Sequence, residues 1–234
     1  MSKKVLLLVG DFMEGMEAYF AMHALQMHGH EAVAVCPGVA AGGSVATAVH
    51  DFEAEQTYSE KRGHRFPVHA EFDGVDVAEY DALFVPGGRA PEYLRLEPRV
   101  LEIVRQFHAA SKPIASLCHG PQLLLTAGVL EGVHCTAYKA IRPDLVMGGA
   151  LFHEVPNTQA VRHGHVVTGV DWVSNPAVLR ALLGLLGASP APDETSNGIK
   201  VNVFSSERLP GDGAAGARGE RMQGAEGGCL KYIV

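Results

Sequence analysis

The chain has 234 residues, 47% of them hydrophobic and 19% charged, with a formal net charge of −7. That length and apolar content suit one large domain with a substantial core, and an anionic balance without a Lys/Arg run argues against a nucleic-acid partner, which needs a cationic face. No apolar run is long enough to cross a bilayer, and four widely spaced cysteines (Cys36, Cys118, Cys135 and Cys229) with no CxxC pair fit a reduced, cytoplasmic protein rather than a disulfide framework.

The chain opens on "KKVLLLVG", a short continuous apolar run ended by Gly10-Asp11, which predicts a strand covered on both faces. It lacks a small-residue cleavage site, so it does not read as a signal peptide. Ala18, Ala21, Met22 and Leu25 at helical spacing predict a helix over 14–28, stopped by Gly29, and "HEAVAVCPG" a second buried strand. The stretch 40–72 is polar, Gly-rich and irregular, a hairpin or an inserted excursion. "DALFVPGG" is a third buried strand. The run "PRVLEIVRQFHAASK" is an amphipathic helix with Val100, Ile103, Val104 and Phe107 on one face, and it leads into "KPIASLC", a fourth buried strand. A helix over 121–126, strand candidates at "VHCTAY" and "HVVTG", and a last helix in "NPAVLRALLGLLG" complete the pattern. Alternating helices and continuously apolar strands predict an α/β fold with a mostly parallel central sheet between two helical layers. Residues 1–187 form this domain. Residues 188–234 are Gly-, Pro- and Ala-rich, a composition that predicts a largely disordered tail, with "IKVNVF" inside it able to add an edge strand or pack on a partner.

The chemistry centres on "ASLCHGPQ". Ligands of open parallel sheets bind beyond the carboxyl ends of the strands. Cys118 and His119 stand there, in a strand-to-helix turn like a nucleophile elbow. The N-terminus of the following helix favours a thiolate, and His119 is a proton shuttle on the same pocket wall. Two other strand exits point to the same place. In "GDFMEGMEAYF", Glu14 is a dipole-compensating carboxylate with a possible place in substrate binding, whereas Glu17, among Met13, Met16, Phe20 and Ala21, should have a raised pKa and stay protonated. In "PGGRAPEYL", Gly87 and Gly88 offer backbone N–H groups to a substrate oxygen, and Arg89 and Glu92 form an exposed ion pair. Cys36 and Cys135 read as core. The His28-Gly-His30 and His163-Gly-His165 turns read as solvated punctuation, so no metal site and no cofactor is expected.

Together "ASLCHGPQLLLTAGVL", "PGGRAPEYL", "GDFMEGMEAYF" and "TAY…IRPDLVMGGA" resemble the PfpI/ThiJ family of the DJ-one superfamily over residues 5–186. "VCPG", "TAVHDFEAEQTYSEKRGH" and "GGRAPEYL" are most similar to its glyoxalase-III-type plant and bacterial members. The resemblance implies a flavodoxin-like three-layer sandwich and a catalytic group of Cys118, His119 and Glu17. It also implies an oxyanion hole from the backbone N–H groups of Gly88 and His119, and Tyr138 beside the pocket. Through the PfpI-type members it implies a homo-oligomer (dimer, trimer or hexamer) in which Glu92, next to Arg89, reaches a neighbour's histidine. "TGVDWVSNP" departs from the plant-type segment at that position, and His153-Glu154 are adjacent where a glutamine amidotransferase has His-x-Glu, so that triad is rejected.

The leading expectation is a cofactor-independent enzyme that converts methylglyoxal or glyoxal to lactate or glycolate through a Cys118 hemithioacetal. Deglycation of early-glycated proteins would use the same steps in reverse. The alternatives are an intracellular cysteine peptidase of PfpI type and a redox-sensing or chaperone-like stress protein. The expected partners are thus a small reactive carbonyl or a glycated protein, with neither nucleic acid nor membrane.

Overall fold

The computed structural model describes residues 1–54, 57–188 and 199–205. The first β-α-β unit is built from β1 (Lys4–Leu8), the two-residue β2 (Met13–Glu14), α1 (Gly15–Met27) and β3 (Glu31–Val35). β1 is buried from Val5 to Leu8 because both its faces are covered, which is why its apolar residues run without alternation. β6 (Ala82–Val85) and β7 (Ile114–Leu117) are buried throughout for the same reason. Between them lie α2 (Ala90–Leu94) and α3 (Pro98–Ala109), the latter burying Val100, Ile103, Val104 and Phe107 as their spacing requires.

After β7 come α4 (Pro121–Thr126), β8 (His134–Cys135), α5 (Arg142–Met147), β9 (Leu151–Phe152), β10 (Gln159–His163), β11 (Val166–Gly169), α6 (Asn175–Leu185) and β12 (Lys200–Phe204). The central sheet runs β12-β10-β11-β7-β6-β1-β3, parallel except for the antiparallel β10–β11 pair. α1 packs on α6, which lies over β7, β10 and β11, while α2, α3, α4 and α5 form a second contiguous group. The mostly parallel sheet flanked by helices is the expected flavodoxin-like arrangement.

Two expectations are sharpened. The stretch 40–72 is dominated by a long antiparallel hairpin, β4 (Ser44–Ala54) with β5 (Thr57–Pro67), and β4 also pairs with β2 through Met13↔Thr47 and Glu14↔Ala48. Register shifts between Ala46 and Ala48 and between Asp51 and Ala54 break the two-residue alternation, so the sequence looks irregular although the backbone is extended. "VHCTAY" is a strand only at His134–Cys135. Beyond it, the Thr136 N–H donates to Oγ1 of Thr168 (2.8 Å) and the Tyr138 N–H to the carbonyl of Cys118 (3.1 Å). The segment is therefore drawn over the end of β7 instead of continuing a ladder.

Lys200–Phe204 takes the edge-strand alternative: it pairs in parallel with β10, from Gln159↔Lys200 to His163↔Phe204, so the central sheet continues past the 187 boundary. The expectation of disorder for 189–198 and 206–234 falls outside the described residues. Among the described residues no helix is long and apolar enough to cross a membrane.

Candidate active site

Four strand exits converge at one end of the sheet. Beyond β1, Phe12 takes a positive φ of 58°, its N–H donates to the Ala46 carbonyl (2.7 Å) and its carbonyl accepts from the Arg89 N–H (2.8 Å). The Glu14 N–H donates to the Gly87 carbonyl (3.2 Å). Gly88 has φ 71°, and a Cβ there would overlap the backbone of Phe12, Met13 and Glu14, so glycine is what lets the β1 and β6 exits interlock.

Cys118 ends β7 with φ 54°, a conformation that costs a non-glycine residue about 1–2 kcal/mol. The turn has two effects. It brings Sγ to 3.3 Å from Nδ1 of its own neighbour His119, a contact that consecutive residues rarely make. It also leaves the backbone N–H groups of Gly88 and His119 directed at the sulfur. These are the two N–H groups expected to form the oxyanion hole. Gly87 does not join them, because its N–H donates to Oε2 of Glu17 at 2.5 Å.

Glu17 is fully buried at the start of α1, with Oε1 unpartnered among protein nitrogens and oxygens and the Cys118 thiol in hydrogen-bonding reach of the carboxyl. Burial, then the neighbouring Glu14 and Asp171 carboxylates, hold its pKa well above the usual range. The shift favours the protonated carboxyl, the direction its apolar setting predicts. Burial and the Glu17 charge also push the Cys118 thiol up, opposite to the expected depression by the helix behind it, while the Gly88 and His119 N–H groups pull it down. The Glu17 and Cys118 charges oppose each other, so a thiolate is favoured when Glu17 is protonated. Burial lowers His119 to about 4, with His50 and Arg89 adding to the effect, so this imidazole is neutral.

Glu14 sits behind the site rather than in it. Its Oε2 accepts from the Glu17 N–H at 2.7 Å, capping α1, and burial raises it to about 7. Asp171, beyond β11, caps the turn into α6 through the Val173 N–H (2.8 Å) and is raised to about 6 by burial. Sequence reasoning passed over Asp171, although Asp171-x-x-Ser174 carries the spacing of a capping box at a strand exit.

The cavity over the sulfur is lined by His50, Tyr58, Gly88, Cys118, His119, Tyr138 and Trp172. Tyr138 is where it was expected, its ring 5.1 Å from that of His119. Tyr58 meets Tyr138 edge-on at 5.7 Å and His50 edge-on at 5.2 Å. His50 and Tyr58 come from the hairpin and were missed. The available signal was the two-residue alternation in Ala48-Val49-His50-Asp51, which buries His50 on the same face as Ala48. On the rim, Arg89 pairs with Glu92 (3.4 Å) and bonds the Tyr58 hydroxyl, the exposed ion pair that the sequence suggested.

The family model "DJ-1/PfpI family" matches residues 3–185. The chain belongs to the DJ-1/PfpI family. It is 46% identical to Protein DJ-1 homolog D of Arabidopsis thaliana over 187 residues, covering 80% of this chain and 48% of that protein. It is 36% identical to Deglycase PH1704 of Pyrococcus horikoshii over 180 residues, 76% of this chain and 93% of the relative. The chain thus spans about half the length of the plant relative and nearly all of the archaeal one. Among solved structures, a two-domain protein of Anabaena variabilis with DJ-1/ThiJ/PfpI-like and ferritin-like domains superposes with a TM-score of 0.69 at 24% identity, over 84% of this chain and 52% of that one. That likeness bears on the fold, which it matches.

The remaining sequence expectations divide. Cys36 and Cys135 are buried free thiols pushed by burial to about 11 and about 12. The His163-Gly-His165 turn is not mere solvated punctuation: Nδ1 of His163 accepts from the His134 N–H (3.0 Å), and His165 meets His108 at 3.1 Å. Among the described residues no group of three or more His, Cys, Asp or Glu could hold a metal.

Proposed function

We propose that this protein converts methylglyoxal and glyoxal to lactate and glycolate without glutathione, with Cys118 as nucleophile, and that the same site releases such carbonyls from early-glycated proteins. The observation that carries this is the Glu17–Cys118 pair: a fully buried carboxyl in hydrogen-bonding reach of a sulfur that two backbone N–H groups face. The deglycase name of the Pyrococcus horikoshii relative supports the second substrate class.

The protons balance as follows. The Cys118 thiol loses its proton to solvent, the thiolate adds to the aldehyde carbon, and Glu17 gives its proton to the new oxyanion, which forms under the Gly88 and His119 N–H groups. The Glu17 carboxylate then takes the C1 proton, giving an enediolate, and returns it to C2 while the proton of the C1 hydroxyl passes to the C2 oxygen, giving a Cys118 thioester. Water adds to that thioester with its proton passing to Glu17, the sulfur leaves as thiolate, and the acid product loses a proton to solvent. Glu17 suits the carbon-to-carbon transfer better than His119, which is neutral and lies against the sulfur. No cofactor enters this sequence.

In an assembly, Arg89 and Glu92 stand on the rim where a second copy of the chain would approach. The test is lactate formation from methylglyoxal without glutathione by wild type, Cys118→Ser and Glu17→Gln. Lactate from wild type alone is the expected result. No lactate from folded wild type overturns the reading, and Cys118 oxidation would then be the property to measure.

A further inference from the structure

The isomerisation proposed above moves two kinds of proton. One travels from C1 to C2, and the other must leave the first oxygen and reach the second, because the C1 hydroxyl becomes a carbonyl while the C2 carbonyl becomes a hydroxyl. Glu17 accounts for the carbon-bound proton. It holds that proton while the enediol exists, so it cannot also exchange protons with the two oxygens at that step. Another group in the cavity wall has to serve the oxygens.

The wall offers few candidates. His119 is held neutral, to about 4, and its Nδ1 faces Sγ of Cys118 at 3.3 Å. The Tyr58 hydroxyl is raised above the ordinary phenol range by burial and bonds Arg89, so it keeps its proton. The Trp172 indole can only donate. His50 remains. It is 7% exposed, and its ring lines the cavity. Its Nε2 stands 3.0 Å from Oε2 of Glu60, the residue directly opposite across the hairpin in the His50↔Glu60 register. The Glu60 side chain is 34% exposed. A buried imidazole is thus joined to a carboxylate that reaches solvent. An imidazole oriented by a carboxylate is a common means of passing a proton in either direction.

We propose that His50 is a catalytic acid and base of this reaction, giving a proton to the C2 oxygen as the enediol forms and taking one from the C1 oxygen as it collapses to the thioester, with Glu60 as its positioning partner and its link to solvent. The step is balanced within the substrate: one O–H bond forms and one breaks, His50 ends as it began, and no external oxidant or reductant is involved. The hairpin is then a working part of the active site, carried on β4 and β5 and tied to the catalytic strand exits by the β2–β4 pairing. This inference rests on the glyoxalase reading.

The experiment uses the full chain and methylglyoxal, with His50→Gln, Glu60→Gln and Glu60→Asp beside wild type. It measures kcat and KM for lactate, together with the melting temperature and the rate of Cys118 alkylation by iodoacetamide. His50→Gln is expected to lower kcat about 100-fold or more, within the range for loss of a general acid–base, while KM changes less than about threefold. Glu60→Gln is expected to lower kcat about 10-fold, with Glu60→Asp recovering most of it, and the melting and alkylation of both Glu60 variants should match wild type. A folded His50→Gln with wild-type kcat, or with a raised KM alone, overturns the role of His50 and leaves the glyoxalase reading standing. If His50→Gln does not fold, wild-type kcat in the exposed-site Glu60→Gln variant overturns it instead. Wild type that forms no lactate overturns both.

Discussion

Gly87 donates its backbone N–H to Oε2 of Glu17 at 2.5 Å, and a Cβ on Gly87 would stand 2.5 Å from the Cβ of Cys118. One residue without a side chain therefore spaces the carboxyl and the thiol. Gly87→Ala should force the two apart, because neither the β7 turn nor the buried start of α1 has slack. The expected cost is about 1–3 kcal/mol of stability, typical of an overpacked core, with lactate formation falling by more than the loss of folded protein explains. Urea unfolding and steady-state rates on one preparation check this, and wild-type values for both would show that the contact relaxes freely.

Much of this was legible in the sequence for a physical reason. Strands buried on both faces carry unbroken apolar runs, so β1, β6 and β7 could be read directly, and their polar exits at Glu17, Gly88 and Cys118 stood out against them. The hairpin was not legible. β4 and β5 have one face toward the site and one toward solvent, and their register shifts leave regular alternation only over the short run 48–51, too little to mark His50 and none to mark Tyr58. The Cys118–His119 contact was also hidden, because it depends on a positive φ that a cysteine adopts only under tertiary constraint. The direction of the Cys118 shift was misread because a six-residue helix behind the sulfur is outweighed by burial and by Glu17.

Three buried carboxyls at one end of the sheet set the pH dependence of stability. Glu14 is raised from 4.5 to about 7, so between those values the unfolded chain releases a proton that the folded chain keeps. Its contribution is a destabilisation that is absent below about pH 4.5, grows as pH rises, and is complete above about pH 7, on the order of 3 kcal/mol. Asp171 acts in the same direction between 3.8 and about 6. Glu14→Gln keeps an oxygen to accept the Glu17 N–H and removes the charge. It should therefore stabilise the protein at pH 8 and leave it unchanged at pH 4.5, as measured by urea midpoints. Equal midpoints at pH 8 would place the Glu14 pKa near that of a free carboxyl.

His119 should be silent in a titration across neutrality. Burial lowers it to about 4, so its ring nitrogens should keep their neutral chemical shifts from pH 8 down to about pH 5.5 in two-bond nitrogen–proton spectra. Any inflection of kcat in that interval must then come from another group. A His119 signal that moves with a midpoint above pH 6 would contradict this and restore the imidazole as the proton carrier.

The far edge of the sheet should affect stability without affecting chemistry. Phe204 on β12 stacks on His134 (centroids 4.1 Å apart, planes 4° from parallel) and on His153 (4.4 Å, 23°). It pairs with His163, which pairs with Val166, which pairs with Ile114. Ile114 begins β7, and Cys118 lies beyond the other end of that strand. Phe204→Ala removes both ring contacts and loosens β12, the strand that covers the hydrogen-bonding edge of β10. The expected outcome is a loss of about 1–3 kcal/mol in unfolding free energy, with kcat for lactate unchanged. A fall in kcat at full folding would mean that this edge is coupled to the site across the sheet, whereas an unchanged stability would mean that β12 is held by its backbone hydrogen bonds alone.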